Sequence, residues 1–560
     1  MKYILKSMRI ILGLFIILGL VSSCTKDFEE MNTSPNSPVD VPAINVFTNA
    51  VENSISFEMG GWIQHTYLGV WCQQWCKVQY IDEDRYMPRD VSSYFNYPYY
   101  GPLKDLTVVI NKTTEEGEDS ESLLAAAKIM RAWIFMYLTD NWGDVPYTEA
   151  LQGFEDDGEI HPVYDTQESI YNALLAELEE ANVLLTGTTV SFGAGDLIYG
   201  GDPVKWRKFA NSLKLRLLNR AAGTPWSFTY DMAGTQPDVT TTPGAAAMAD
   251  ADTQIAAILA NPTQYPVFTS NADNAKLDFP GIPYRNPIYN ALLSRKDQAI
   301  SETMVDWLEA RTDPRLHVYA QPTPNSVATP PLDYVGFQNG REITSAPFPA
   351  ISLLGTKVAF TETAPLYVLT WDEVEFIKAE HYMRQGNDGP ARNAYEAGIA
   401  ASMSRWGLAD GGSVNPTWGD AGGITTGTTS YPVNYTSYLN DPLVTWTGKT
   451  DAEKFQMICE QRWAAIYGQG VQAYIEVRRT GFPARIFEYE LAGAYYPNLG
   501  LPIRLQYALS EETYNTDNLI AAKSAQSVEA GNEGMFSQTG TQSQVWWHTR
   551  KNPIPTETEY

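Results

Sequence analysis

Five histidines, at positions 65, 161, 317, 381 and 548, are the first residues to ask about catalysis, and they are scattered. No H-E-x-x-H pair, phosphate-binding glycine loop or G-x-S-x-G nucleophile elbow accompanies them. The stretch "GQGVQA" from Gly468 fits G-x-G-x-x-A, yet it follows a helical pattern, whereas a dinucleotide fingerprint must follow a strand. His65, Cys72 and Cys76 fall on one face of an expected helix. Seven helical residues rise roughly 10.5 Å, too far for ligands of one zinc ion, and thiols on successive turns point in parallel, which disfavours a disulfide. Two buried thiols are the reading that remains. Acidic groups crowd two loops, Asp82, Glu83, Asp84 and Asp90 in one and Glu155, Asp156, Asp157 and Glu159 in the other. A solvated surface is their ordinary meaning, a structural calcium site the alternative, and a glycosidase would need two carboxylates about 5 to 9.5 Å apart. No catalytic set, metal set or cofactor motif emerges, so a binding protein is expected and a surface glycoside hydrolase is the competing class.

Aromatic residues carry the positive signal. "QYIDEDRYMPRDVSSYFNYPYYGP" interleaves Tyr80 and Tyr94 with Asp84 and Arg85; "GIPYRNPIYN" adds Tyr284 and Arg285; "LDYVGFQNG" adds Tyr334 and Phe337. Flat rings stack on the apolar face of a sugar or an extended peptide, while neighbouring Asp, Arg and Asn bond its polar edge. Core packing is the competing role for each ring taken singly. These eight residues form the expected ligand-binding set.

The elements that must hold them are mostly helices. In "LLAAAKIMRAWIFMYL" positions 123, 126, 127, 130, 134 and 137 follow one helix face, and in "PVKWRKFANSLKLRLLNR" Trp206, Phe209, Ala210, Leu213 and Leu217 do the same. Further helices are expected at 166–185, 299–311, 371–385, 390–405 and 451–479. Phe376, Ala379 and Met383 followed by Ala391, Tyr395 and Gly398 resemble the bulky and small contacts of a tetratricopeptide pair. Stretches rich in Gly, Pro, Thr, Tyr and Asn separate the helices at 77–119, 186–202, 223–250, 312–365, 406–450 and 480–545. The expected fold is mainly α, with stacked helical pairs, a loop-rich lobe and a few short strands.

The N-terminus has its own chemistry. Lys2, Lys6 and Arg9 precede twelve apolar or glycine residues, Ile10 to Val21, and then Ser22, Ser23 and Cys24. Twelve residues are too few to cross a bilayer, which takes roughly 20, so residues 1–23 read as a signal peptide and Cys24 as a lipidation site. Residues 24–41, polar and proline-punctuated, read as a lipidated tether to a body at 42–560. Removing the signal takes three bases from a formal net charge of −27 and leaves −30, which repels nucleic acid. Cys72, Cys76 and Cys459 are then too few for a disulfide framework.

The chain resembles the SusD/RagB family of outer-membrane nutrient-binding lipoproteins over nearly its full mature length. The carriers are "NTSPNSP" after the cysteine, "NWGDVPYTEA" at Asn141, "YGGDPVKWRKFANSLKLRL" at Tyr199, "DPRL" at Asp313, "EVEFIKAE" at Glu373, "GQGVQAYIEVRRTGFP" at Gly468, "LPIRLQYALSEETYN" at Leu501 and "VWW" at Val545. It departs at Glu460-Gln461, where Glu-Lys is often found, and at Val477, where Trp is common; both lie on the expected scaffold. The resemblance implies about four tetratricopeptide-like pairs, attachment to the outer membrane facing the medium, and no enzymatic activity. It also implies a SusC-like TonB-dependent barrel as partner and an oligosaccharide, or in some members a peptide, as cargo. No ligand residue carries over from the family, so the ligand set above rests on composition and position.

Overall fold

The computed structural model describes Met1 and residues 41–115, 120–153, 158–222, 251–293, 295–341, 348–488, 495, 500–528, 535 and 545–548. Residues 2–40 with Cys24, Glu155, Asp156, Asp157 and the stretch 223–250 lie outside them. The principal helices are α1 (Ala43–Glu58), α2 (Lys104–Glu115), α3 (Glu121–Trp142), α4 (Gln167–Leu184), α5 (Pro203–Ala221), α6 (Ala251–Ala260), α7 (Glu302–Ala310), α8 (Trp371–Arg384), α9 (Asp388–Arg405), α10 (Asp451–Ala465) and α11 (Gly470–Thr480). Local chemistry sets their ends. Ser120 accepts the Leu123 amide at the start of α3, Asp202 caps α5 just before Pro203, and Thr450 with Glu453 forms a capping box on α10. Gly143 and Gly481, at φ +80° and +76°, end α3 and α11.

The helices pack in four pairs, α1 with α2, α3 with α4, α5 with α6 and α8 with α9, and α10 lies across α8. A connection of three residues between α8 and α9 makes that pair an antiparallel hairpin. A Cβ on Gly398 would fall 2.9 Å from the Phe376 ring, which is the expected small-on-bulky contact. Helix α3 touches α1, α2, α4 and α5, so it is buried on nearly every side and its apolar residues extend beyond the predicted face. It is long and apolar enough to cross a membrane by composition, yet here it is the central core helix.

Three expectations change. The helix expected at 451–479 breaks at Gly468, φ +80°, into α10 and α11. The stretches expected as loop at 77–119 and 480–545 contain the helices Ser92–Pro98, α2 and Thr516–Ala525, because short apolar sets such as Leu103, Leu106 and Val109 are enough to dock a helix on the core. His65, Cys72 and Cys76 do not share a helix: the helical run that holds His65 ends at Trp71 with Cys72 as its cap, and Cys76 sits in strand β1 (Trp75–Lys77), antiparallel to β2 (Gln298–Ile300). Both thiols are buried and unlinked, and burial pushes Cys72 up to about 12. In the first acidic loop Asp82 and Glu83 turn to Arg89 while Asp84 turns inward. Among the described residues no three His, Cys, Asp or Glu side chains converge as metal donors.

Four of the sequence motifs fold together into a buried lattice of charge. Glu373 accepts from Arg216 and Arg462, and Glu380 from Arg384, Arg479 and Asn219. Glu476 pairs with Arg462 at 3.0 Å and Arg479 at 2.9 Å, and Asp140 pairs with Arg220 and receives the Trp547 indole at 2.9 Å. Burial alone would raise the Glu373 carboxyl; Arg216 and Arg462 hold it down to about 2. The "GQG" turn is structural as well. Gln64 donates to the Gly468 carbonyl at 2.6 Å and accepts the Val471 amide at 2.8 Å, while Gly470 lies against Gly69 so closely that a Cβ would come 2.5 Å from its Cα.

Candidate functional site

The β1–β2 ribbon positions the first exposed aromatic. Past β1 the Val78 amide donates to the Asp297 carbonyl at 2.7 Å, and the chain then turns through Tyr80 at φ +54°. Its ring is 67% exposed, with the Arg295 guanidinium 4.5 Å from the ring centroid. Arg295 is itself tethered by Asp297, so ring and cation are held as a unit. Next to Arg295, Lys296 pairs with Asp420 on the hairpin of β3 (Thr417–Asp420) and β4 (Gly423–Thr426). Arg85 is half-buried, and its carbonyl accepts the Tyr495 amide at 2.9 Å.

A second exposed aromatic stands on the turn Gly281 to Asn286, which contains a cis Ile282–Pro283 bond. Tyr284 is 69% exposed. Behind it Arg285 pairs with Glu362 at 2.8 Å and lies over the Tyr289 ring, and Asn286 fastens the turn by donating to the Ala364 carbonyl at 2.8 Å.

The remaining predicted ligand residues face inward in this structure. Asp84 accepts the Lys77 amide at 2.7 Å and the Asn339 side chain at 3.1 Å, and burial pushes its carboxyl up to about 7. Tyr94 stacks on Phe57 with centroids 4.7 Å apart. Tyr334 is buried with its hydroxyl 2.9 Å from His317 Nδ1, and Phe337 packs with Cys76 and Ala299. Composition gave all eight residues the same standing; long-range pairing, invisible in one sequence, separates the exposed Tyr80 and Tyr284 from the half-buried Arg85, Tyr94 and Arg285 and the buried Asp84, Tyr334 and Phe337.

Sequence reasoning missed the cavity beside them. A cleft of about 360 Å³ is walled by Asn286, Lys357, Tyr367, Arg405, Trp406 and Gln469 over an apolar floor that includes Met59, Ile288 and Leu366. Asn286 joins it to the Tyr284 turn, and a 2.6 Å contact between Thr356 and Thr417 joins the Lys357 helix to the hairpin. Arg405 pairs with Asp372 at 2.8 Å and lies over the Tyr367 and Trp406 rings. Its Nη1 and Nε, the Trp406 indole nitrogen and both amide atoms of Gln469 have no protein partner among the described residues. Two left-handed glycines, Gly407 beside Trp406 and Gly468 beside Gln469, at φ +78° and +80°, were the available signal. Each turns the chain sharply next to a residue of the cavity wall.

Comparison with known proteins fits this architecture. Residues 35–232 and 244–508 match the model of the SusD-like family described as starch-binding and associating with the outer membrane. The chain belongs to the SusD-like family. Among solved structures, a SusD homolog of Bacteroides fragilis is 23% identical with a TM-score of 0.70, covering 91% of this chain and 99% of its own. A chitin-binding protein is 23% identical with a TM-score of 0.69, covering 91% and 100%. An outer-membrane protein of Bacteroides vulgatus, described in terms of nutrient binding, is 23% identical with a TM-score of 0.67, covering 90% and 100%. These likenesses establish that the SusD-like fold is shared. No curated protein matches the chain.

Proposed function

We propose that this SusD-like protein is a lipid-anchored binder at the cell surface that captures an oligosaccharide and passes it, uncleaved, to a SusC-like TonB-dependent barrel. The observation that carries the reading is the pair of exposed tyrosines, Tyr80 and Tyr284, each fixed by neighbours that leave its ring open. Rings presented without large conformational freedom bind sugar faces at low entropic cost. The family's description as starch-binding and the chitin-binding relative favour a glycan over a peptide. The anchor is Cys24 at the end of the signal sequence, with residues 24–41 as tether.

Titration of the purified body with a panel of oligosaccharides and peptides, followed by intrinsic fluorescence and then chromatography, tests this. One glycan class should bind and be recovered at its original length, and Tyr80→Ala with Tyr284→Ala should weaken capture about tenfold, as expected for losing stacking contacts. Shortened oligomers would point to a hydrolase, and binding of peptides alone to the other cargo class. In cells Cys24→Ala should move the protein out of the membrane fraction, and capture of the barrel by affinity purification should depend on the intact lipoprotein.

A further inference from the structure

The cavity beside Trp406 has an unusual electrical character. Among the described residues no Asp or Glu lines it, although the whole chain carries a formal net charge of −27. Its charged lining residues are both cations, Lys357 and Arg405, and the Trp406 indole and the Gln469 amide stand beside them. Asp372 balances Arg405, but Lys357 donates only to the Trp406 carbonyl, at 3.0 Å, and makes no ion pair with the described residues. One positive charge is therefore uncompensated at the mouth. Gln469 supplies an independent observation. It is 2% exposed, it lines the cavity, and neither end of its amide has a protein partner among the described residues. Buried polar groups are as a rule hydrogen-bonded, so such an amide marks where a ligand's polar group sits.

Beside these donors stand the rings of Tyr367 and Trp406, and Asn286 supplies a polar edge suited to hydroxyls. The volume accommodates roughly one or two pyranose rings. Resting on the glycan reading above, we infer that the cavity receives a carboxylate carried on a sugar ring, so that the captured oligosaccharide is an acidic one containing uronic acid. The carboxylate meets the exposed Lys357 through a charge-assisted hydrogen bond, with the unpartnered nitrogens of Arg405 behind it, and Gln469 reads the adjoining oxygen.

The test is calorimetric titration with oligomers of galacturonate, glucuronate and mannuronate, each beside its own methyl ester, which keeps the skeleton and removes the charge. At least one acid form should bind about tenfold more tightly than its ester, with the gap narrowing as salt rises. Lys357→Gln, at an exposed position where folding is not at stake, should abolish that gap while leaving ester binding unchanged; Gln469→Leu should weaken both forms. Esters bound as well as acids, or a preference that survives in Lys357→Gln, would overturn the acidic assignment and leave glycan capture standing. Failure of every oligomer, neutral ones included, would overturn the glycan reading together with it. Lys357-dependent binding of peptide carboxylates with no uronate bound would reassign the cavity to peptide.

Discussion

Arg216 grips Glu373 through two parallel hydrogen bonds, Nε to Oε1 at 2.8 Å and Nη2 to Oε2 at 2.6 Å, where neither side chain exceeds 2% exposure. The pair joins α5 to α8, so it fastens one helical pair to another. Glu373→Ala should cost about 3 to 5 kcal/mol, because it leaves Arg216 and Arg462 buried without their shared carboxylate. Urea unfolding checks this, and a loss below about 1 kcal/mol would show that the charges find other partners.

Gly470 sets two effects against each other. Alanine in a helix gains about 0.5 to 1 kcal/mol over glycine, but here its Cβ would lie 2.4 Å from the Gln64 carbonyl oxygen and 2.5 Å from the Gly69 Cα. Both are backbone atoms, so no rotamer relieves the overlap, and overpacking of about 1 to 3 kcal/mol or more prevails. Gly470→Ala should therefore lower the melting temperature; an unchanged or raised value would show that α11 can slide away.

His65 gives the fold an acid-sensitive element. Burial lowers its pKa to about 4, against an ordinary value near 6.5, so the unfolded chain binds a proton there that the folded chain refuses. This contribution to stability is complete above about pH 6.5 and is lost as pH falls toward 4. At pH 5 the loss is about 2 kcal/mol. His65→Gln cannot titrate, so the stability difference between pH 7 and pH 5 should shrink by about that amount relative to wild type. Asp84 works in the opposite direction but is present in both proteins and cancels. Equal differences in the two would disprove the assignment.

Tyr80 and Tyr94, alike in the sequence, should part in a thermal melt. Tyr94→Ala removes a ring stacked on Phe57 and should destabilise by about 1 to 2 kcal/mol. Tyr80→Ala, at an exposed ring, should stay within about 0.5 kcal/mol. Matching losses would contradict the placement of one of them.

The helical scaffold was legible because periodicity is local: the inward positions of α3 and α5 and the Phe376 to Gly398 contact can all be read within short windows. What escaped was decided at long range or by small segments. The break at Gly468 depends on Gln64, some four hundred residues earlier, and α2 offers too few apolar positions to stand out beside the tyrosines before it. The chemistry of the candidate site was legible, but not which of its residues would face solvent. Tyr80 and Tyr284 face solvent, while Asp84, Tyr334 and Phe337 were claimed by Lys77, His317 and Ala299, contacts that only the folded chain creates.

The lattice around Glu373 and Glu476 draws together segments that make the chain recognisable, and none of the lattice carboxylates lines the cavity at Trp406. Selection can therefore rewrite the wall near Lys357 and the tyrosine turns without disturbing the frame, and two relatives alike in every lattice position can live on different diets.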